Sequence, residues 1–300
     1  MKSKRVRGDT TFNVSINILL TLLSLFTVLP IVLLVVSSFT SEATILHNGY
    51  TFFPQEGSLN AYRYLLVQGR FILNSLKISF LITAVGTAIN LFISSLLAYP
   101  LSRKDFPFRV PLSFLVFFTL LFNGGLVPTY LTYTQIFHIK NTIFGQIVPS
   151  LLMNGFTVIL IRTYFATNIP DALIESARLD GAGETLIFFR IVMPLSLPIL
   201  ATVGLMSGLA YWNDWFNGFI YINKPELYSL QNILNRMIRN IEFLQQNSSL
   251  SGNVGSQLSR IPTTTVRMAI AAVGAAPIMI IYPFFQRYFV KGIVIGAVKG

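Results

Sequence analysis

The sequence predicts an all-α integral membrane protein: six transmembrane helices and one polar helical hairpin on the cytoplasmic side. Three observations carry that prediction. Of 300 residues, 53% are hydrophobic and 11% charged, and mean hydropathy is +0.64, whereas a soluble domain carries about 25% charged residues. Apolar runs of span length recur along the chain, leaving room for about six spans and no large soluble domain. One stretch, Ile169 to Pro198, breaks the pattern with polar, helix-patterned sequence.

The elements follow in order. Residues 1–13 form a basic cytoplasmic head with Lys2, Lys4, Arg5 and Arg7. The apolar run from Val14 to Ser38 is too long for a secretory signal and lacks a small-residue cleavage site, so it reads as a retained first span. Phe39 to Arg70 reads as a mixed outer loop, and Phe71 to Tyr99 as the second span, containing Asn74, Lys77 and Asn90. Lys77 lies close enough to the span's start to snorkel outward, the alternative being a pathway role. Pro100 to Pro111 is a short basic inner loop. The third span opens at Val110 and meets Asn123-Gly124-Gly125 and Pro128, which break a helix; broken backbone inside a membrane must face protein or water.

Tyr133 to Asn141 reads as a short outer loop, and Thr142 to Phe165 as the fourth span, interrupted by Pro149 and Asn154-Gly155. The hairpin follows at 169–194. Ser196 to Ile220 is the fifth span, ending in Tyr211-Trp212-Asn213-Asp214-Trp215-Phe216-Asn217. Ile222 to Pro262 is the longest outer loop, Ser/Asn-rich around Gln245 to Ser259, and Thr263 to Phe289 is the sixth span, with Pro277 and Pro283 inside it. The membrane domain thus covers 14–290, and 291–300 is a cytoplasmic tail. Arg103/Lys104/Arg109, Arg162/Arg178/Arg190 and Arg287/Lys291/Lys299 all fall on the side of the basic N-terminus, which puts both termini and the hairpin inside the cell.

The hairpin is legible residue by residue. Pro170 and Asp171 start a helix, since proline suits the first helical position and an early carboxylate suits the positive end of the helix dipole. Gly181-Ala182-Gly183 breaks it, Gly181 permitting the sharp turn, and a second helix runs from near Glu184 to Met193-Pro194. Small residues (Ala172, Ser176, Ala177, Ala182) and three acids (Asp171, Glu175, Asp180) line it. Asp180 sits where a helix C-terminus disfavours an anion, so its expected role is to cap the next helix or bond the turn. A solvated inner loop with ordinary caps is the plain alternative.

Glu175-Ser176-Ala177, Asp180-Gly181-Ala182, Ile191-Val192-Met193-Pro194 and Pro198 resemble the EAA loop of bacterial ABC-importer permeases, the binding-protein-dependent transport inner-membrane components. Ser176 stands for Ala and Met193 for Leu; both keep size. Phe122-Asn123-Gly124-Gly125-Leu126-Val127-Pro128-Thr129-Tyr130-Leu131, the Tyr211–Trp215 cluster and the tail Gln286-Arg287-Tyr288-Phe289-Val290-Lys291-Gly292 to Gly300 resemble the carbohydrate-uptake, oligosaccharide-importing branch.

The resemblance implies a permease subunit for an oligosaccharide, plant- or algal-polysaccharide fragments included, in the bacterial cytoplasmic membrane. The implied partners are a homologous second permease, two ATPase subunits, an extracytoplasmic solute-binding protein and membrane lipid. The hairpin, with Asp171, Glu175, Ser176, Ala177, Asp180, Gly181 and Ala182, becomes an EAA-type coupling element, Glu175 pairing with a base on the ATPase. No cofactor is expected in this chain: it has no GxxxxGK[ST] motif, so ATP and Mg belong to the partner and this subunit is not an enzyme.

For a sugar path the chemistry wants aromatic faces to stack on sugar CH groups and amides to bond hydroxyls. Tyr211, Trp212, Asn213, Trp215 and Asn217 offer both, the rival being an interfacial aromatic belt. Asn123, Tyr130 and Asn154 are further candidates, the rival being helix–helix hydrogen bonds. Asp214 is costly near a span unless partnered. Lys77, Arg236 and Arg239 offer charge to a uronic acid.

Other classes fit worse. The net charge of +11 suggests nucleic acid, but the bases are scattered at span edges, where positive-inside bias and anionic lipid explain them. With no cysteine, disulfides, thiol catalysis and Cys-ligated metals are excluded. His47 and His138 are far apart in sequence, and no catalytic constellation accompanies them. The same machinery carrying a polyamine or amino acid is the first alternative, although a cation carrier wants more acids in its spans. An ion-coupled secondary transporter is the second; it wants intramembrane ionisable residues and repeat symmetry and leaves the hairpin unexplained.

Overall fold

A computed structural model describes residues 7–67, 69–246 and 263–297. The basic residues Lys2, Lys4 and Arg5, the Ser/Asn-rich stretch 247–262 and the tail residues 298–300 lie outside the described residues. Every regular element among the described residues is helical. Among the described residues three helices are long and apolar enough to cross a membrane: Phe12–Ser38, Gly69–Ser102 and Thr264–Pro283. Two further pairs pass the same test jointly but are bent, Arg109–Leu121 with Leu126–Ile136 by 115° and Glu184–Leu195 with Leu197–Asn213 by 79°.

The chain divides into two compact units, 1–70 with 237–276 and 71–236 with 277–300. In the first, α1 (Arg7–Ser38) is followed by α2 (Glu42–Asn48) and α3 (Asn60–Val67). The expected loop after the first span is therefore half helical. Ser41 caps α2 by accepting the Thr44 N–H at 3.2 Å. The Glu42 carboxylate accepts the backbone N–H groups of Thr264 and Thr265, each at 2.8 Å. It thereby caps α15 (Thr263–Ala297), where otherwise orphaned donors and the helix dipole both favour an anion.

The second unit holds α4 (Gly69–Ser102), α5 (Arg109–Leu121), α6 (Leu126–Leu131), α7 (Phe144–Ile147), α8 (Gly155–Asn168), α9 (Asp171–Leu179), α10 (Glu184–Ile187), α11 (Met193–Leu195), α12 (Leu197–Asn213), α13 (Phe216–Tyr221) and the start of α14 (Leu230–Gln246). Helix α14 lies in what the sequence suggested was a long outer loop. The helix expected to run from Ser196 to Ile220 instead ends at Asn213 and restarts at Phe216. At 13 and 14 residues, α5 and α8 reach only about 20 Å, short of a hydrocarbon core of about 30 Å. The chain leaves helical form where Asn-Gly and Pro predicted it, at 122–125 and 148–154.

Polar side chains inside this unit bind the broken segments. Asn90, 1% exposed, donates to the carbonyls of Leu151 and Leu152 at 2.9 and 3.0 Å and accepts from Ser207 Oγ at 2.8 Å. Gly86 of α4 leaves room for the Tyr211 ring of α12. A Cβ at Gly86 would stand 2.6 Å from the Tyr211 ring. The apolar core beneath the hairpin comprises Tyr99, Ile161, Phe165, Ile174, Ile187, Phe188 and Val192 among others.

Candidate functional site

The hairpin is built by α9 and α10. Pro170 stands one residue earlier than expected, at the cap with φ −62° and ψ 131°, and Asp171 opens the helix. Ile169, Ile174 and Ile187 are buried against the core, with Ala177 and Ala182 half-buried beside them. The opposite face exposes Asp171, Ala172, Glu175, Ser176, Leu179 and Asp180. Of the four small residues, two thus face outward and two pack inward. Ser176 Oγ donates to the Leu173 carbonyl at 3.0 Å. Glu175 makes no ion pair among the described residues.

Helix α9 ends in a Schellman turn: Gly181 has φ +83°, the Gly181 N–H donates to Arg178 O at 3.0 Å, and the Ala182 N–H donates to Ala177 O at 2.9 Å. Asp180 does not cap the next helix. The cap of α10 is Gly183, with no side-chain bond, because Asp180 is used as the last residue before the left-handed turn.

A polar network that the sequence did not disclose anchors the hairpin. Arg178 donates from Nη1 to Asp105 and from Nε to Glu184, each at 2.7 Å. The Tyr99 hydroxyl donates to the other Glu184 oxygen at 2.5 Å. Asp171 meets Lys104 at 3.3 Å and Arg103 at 3.5 Å. The Arg178 hydrogen bond holds the Asp105 carboxyl below its ordinary range, and Glu184 and then Asp105 push the guanidinium above its own. In the sequence, Arg103, Lys104 and Arg178 read only as topology markers. The available signal was one acid, Asp105, inside a basic loop, and Glu184 six residues beyond Arg178 across a glycine turn.

The predicted path residues do not converge on one surface. Asn123 and Asn154 are exposed and hold their own breaks, accepting the Gly125 N–H at 2.9 Å and the Phe156 N–H at 2.8 Å. Tyr130 accepts from Lys140 at 2.8 Å and stacks on Tyr221 with centroids 5.8 Å apart. Tyr211 is buried and donates to the Ile147 carbonyl at 2.9 Å. Asn217, also buried, donates to Pro149 O at 3.0 Å. Asp214 is partnered locally, accepting the N–H groups of Phe216 and Asn217 at 3.0 and 3.1 Å. Trp215 is half-buried with its ring against Phe216, and Asn213 is exposed.

Trp212 is buried edge-on to Phe80 at 5.2 Å and borders a cleft of about 880 Å³ between α4, α12 and α15, lined also by Thr83, Thr87, Gly204 and Tyr282. Arg236 lies over the Tyr228 ring at 4.3 Å and donates to Asn232 Oδ1 at 2.8 Å, while Lys77 is exposed. Among the described residues no cluster of His, Asp or Glu has metal-holding geometry. The site presents shape, small outward residues and charge; it is suited to docking and passage.

Comparison with known proteins agrees with this architecture. Residues 110–295 match the family model described as binding-protein-dependent transport system inner membrane component. The chain is 37% identical over 281 residues to the polygalacturonan/rhamnogalacturonan transport system permease protein YtcP of Bacillus subtilis (strain 168), covering 94% of this chain and 96% of that protein. It is 36% identical over 274 residues to protein LplC of the same organism, covering 91% and 90%. A crystal structure of a bacterial ABC transporter involved in the import of the acidic polysaccharide alginate superposes with a TM-score of 0.78 at 27% identity, covering 95% of this chain and 98% of that one.

Proposed function

This chain belongs to the binding-protein-dependent transport system inner membrane components, and we propose that it is the permease subunit through which an ATP-driven importer moves an oligosaccharide across the bacterial cytoplasmic membrane. The observation that carries the reading is the conjunction of the matched family segment with a carbohydrate-transport relative along nearly the whole chain. The polygalacturonan/rhamnogalacturonan and alginate cargoes of the similar proteins favour a fragment of an acidic polysaccharide over a polyamine or amino acid.

In this reading the chain spans the membrane six times, both termini in the cytoplasm, the two bent helix pairs and the segment 142–168 completing the count. It pairs with a homologous second permease to enclose one path, and a solute-binding protein delivers the sugar from outside. ATP and Mg are held by two partner ATPase subunits. The exposed face of the hairpin docks into an ATPase cleft: Glu175 supplies charge to a base there, Ala172 and Ser176 allow close approach, and Asp171, Ala177, Asp180, Gly181 and Ala182 set its shape. The outward side chain of Leu179, 89% exposed, adds an apolar anchor that the motif itself does not name. Closure of the ATPases then moves the hairpins and switches the cavity from inward- to outward-facing. Along the path Trp212, Trp215, Tyr130 and Asn213 offer ring faces and an amide to the sugar, while Tyr211, Asn217, Asn123 and Asn154 shape the wall by holding its breaks.

Co-purification from the native membrane through a tag on this chain tests the assembly. A six-span homologue and a P-loop ATPase are expected in the eluate. A chain that emerges alone, and transports in liposomes without ATP, overturns the reading in favour of a secondary transporter.

A further inference from the structure

We propose that Tyr99, Asp105, Arg178 and Glu184 are positioning residues that lock the turn end of the hairpin to the foot of α4, so that hairpin and helix move as one piece. The inference rests on the reading of α9 and α10 as the ATPase-docking element. It concerns how motion leaves that element, and no residue of the EAA-like motif other than its neighbour Arg178 takes part.

The contacts form a branched bridge between three segments. Arg178, the penultimate residue of α9, donates to Glu184 at the start of α10 and to Asp105 in the segment after α4, both at 2.7 Å. Glu184 spends its second oxygen on the hydroxyl of Tyr99 in α4. Tyr99 is 8% exposed, and its ring packs on Phe188 at 5.4 Å, so the bridge is seated on the core at one end and reaches solvent at the other. The opposite end of α9 is held less closely. Asp171 meets its two bases at 3.3 and 3.5 Å, and the buried Nε and Nη2 of Arg103 have no hydrogen-bond partner.

Pro100 explains why the Tyr99 contact matters. Proline inside a helix removes a backbone hydrogen bond and is the common site of kinks, and Pro100 lies inside α4 immediately after Tyr99. A force arriving only through Asp105, beyond that proline, would be spent in bending the helix end. Tyr99 lies within the turn that Pro100 weakens by failing to bond the Leu96 carbonyl, so its contact with Glu184 fastens that turn to the hairpin. From Tyr99, α4 continues as one helix to Thr83 in the cleft wall, about 24 Å at helical rise. A shift of the hairpin is thereby delivered to the cleft. The pairs are too exposed to add much stability; their contribution is orientation.

The test is the amount of labelled oligosaccharide moved per ATP hydrolysed by the complete complex in proteoliposomes. Tyr99→Phe and Asp105→Asn each remove a contact without changing shape. Complex assembly and ATP hydrolysis should persist, while transport per ATP falls about tenfold, the loss equivalent to one charge-assisted hydrogen bond. Asp105→Glu should restore most of it. An unchanged ratio in both variants overturns the link, as does a loss of the ATPase from the complex, which would make these residues part of docking. The chain has no cysteine, so Leu179→Cys gives a unique cross-linking site that reads the docking assignment separately. No cross-link to the ATPase sinks the hairpin reading and the link with it; a cross-link with an unchanged ratio sinks the link alone.

Discussion

Leu179→Ala separates docking from folding. The side chain is 89% exposed at the hairpin's turn, so nothing in this chain's own core depends on it. Removing three carbons at about 0.8 kcal/mol each from a fully desolvated site costs about 2.4 kcal/mol. Scaling by the exposed fraction leaves about 2 kcal/mol, or roughly thirtyfold in dissociation constant. The assay is binding of the purified partner ATPase to permease in nanodiscs, paired with thermal unfolding of the permease alone. The expected outcome is weaker binding by roughly that factor with an unchanged melting temperature. Affinity within twofold of wild type would refute the argument. So would an equal loss of permease stability, since Leu179 would then be packed at home.

Three further outcomes follow from the same geometry. Gly181→Pro cannot adopt the +83° φ of the turn and discards the Gly181 N–H bond to Arg178 O; the protein should still insert, but coupled transport should be lost, and normal transport would contradict the turn's role. Gly86→Ala places a methyl 2.6 Å from the Tyr211 ring; relief of that overlap should cost about 1–3 kcal/mol and threaten the Tyr211–Ile147 bond, seen as a lower unfolding temperature in detergent. Asp105 has a depressed carboxyl pKa, so its contribution to stability is complete above the ordinary carboxylate pKa of about 4 and is lost as pH falls below it. Asp105→Asn should therefore flatten the stability profile between roughly pH 5 and 3, only slightly because the pair is exposed, and an unaltered profile would count against the Arg178 contact.

Much of the fold was readable because membrane proteins write it in hydropathy and in breaks. The turn at Gly181 and the interruptions at Asn123-Gly124-Gly125 and Asn154-Gly155 came from residues whose backbone preferences admit few alternatives. The helices α2, α3 and α14 were missed because they are polar and lie in segments read as loops, where hydrophobic spans give no guidance. The surroundings of the path candidates were less legible. Asn123 and Asn154 were chosen for their amides, yet an Asn directly before Gly commonly bonds its own turn, as both do. Tyr211, Asn217 and Asn90 spend their polar atoms on carbonyls 61 to 68 residues away in the chain, which local pattern does not reveal. Topology bias explained the base at 178 so readily that its acidic partners Asp105 and Glu184 went unread, as did the pairing of Arg103 and Lys104 with Asp171.

Uptake by the reconstituted complex separates an ATP-driven oligosaccharide importer from its rivals. Vesicles carrying the whole complex, with ATP on the hairpin side and the solute-binding protein on the other, would be offered labelled oligogalacturonides, a neutral oligosaccharide, a polyamine and an amino acid. ATP-dependent accumulation of an oligosaccharide is expected, with none of the polyamine or amino acid, and Glu175→Arg should abolish it. Accumulation driven by an ion gradient without ATP, or transport untouched by Glu175→Arg, would contradict the importer reading.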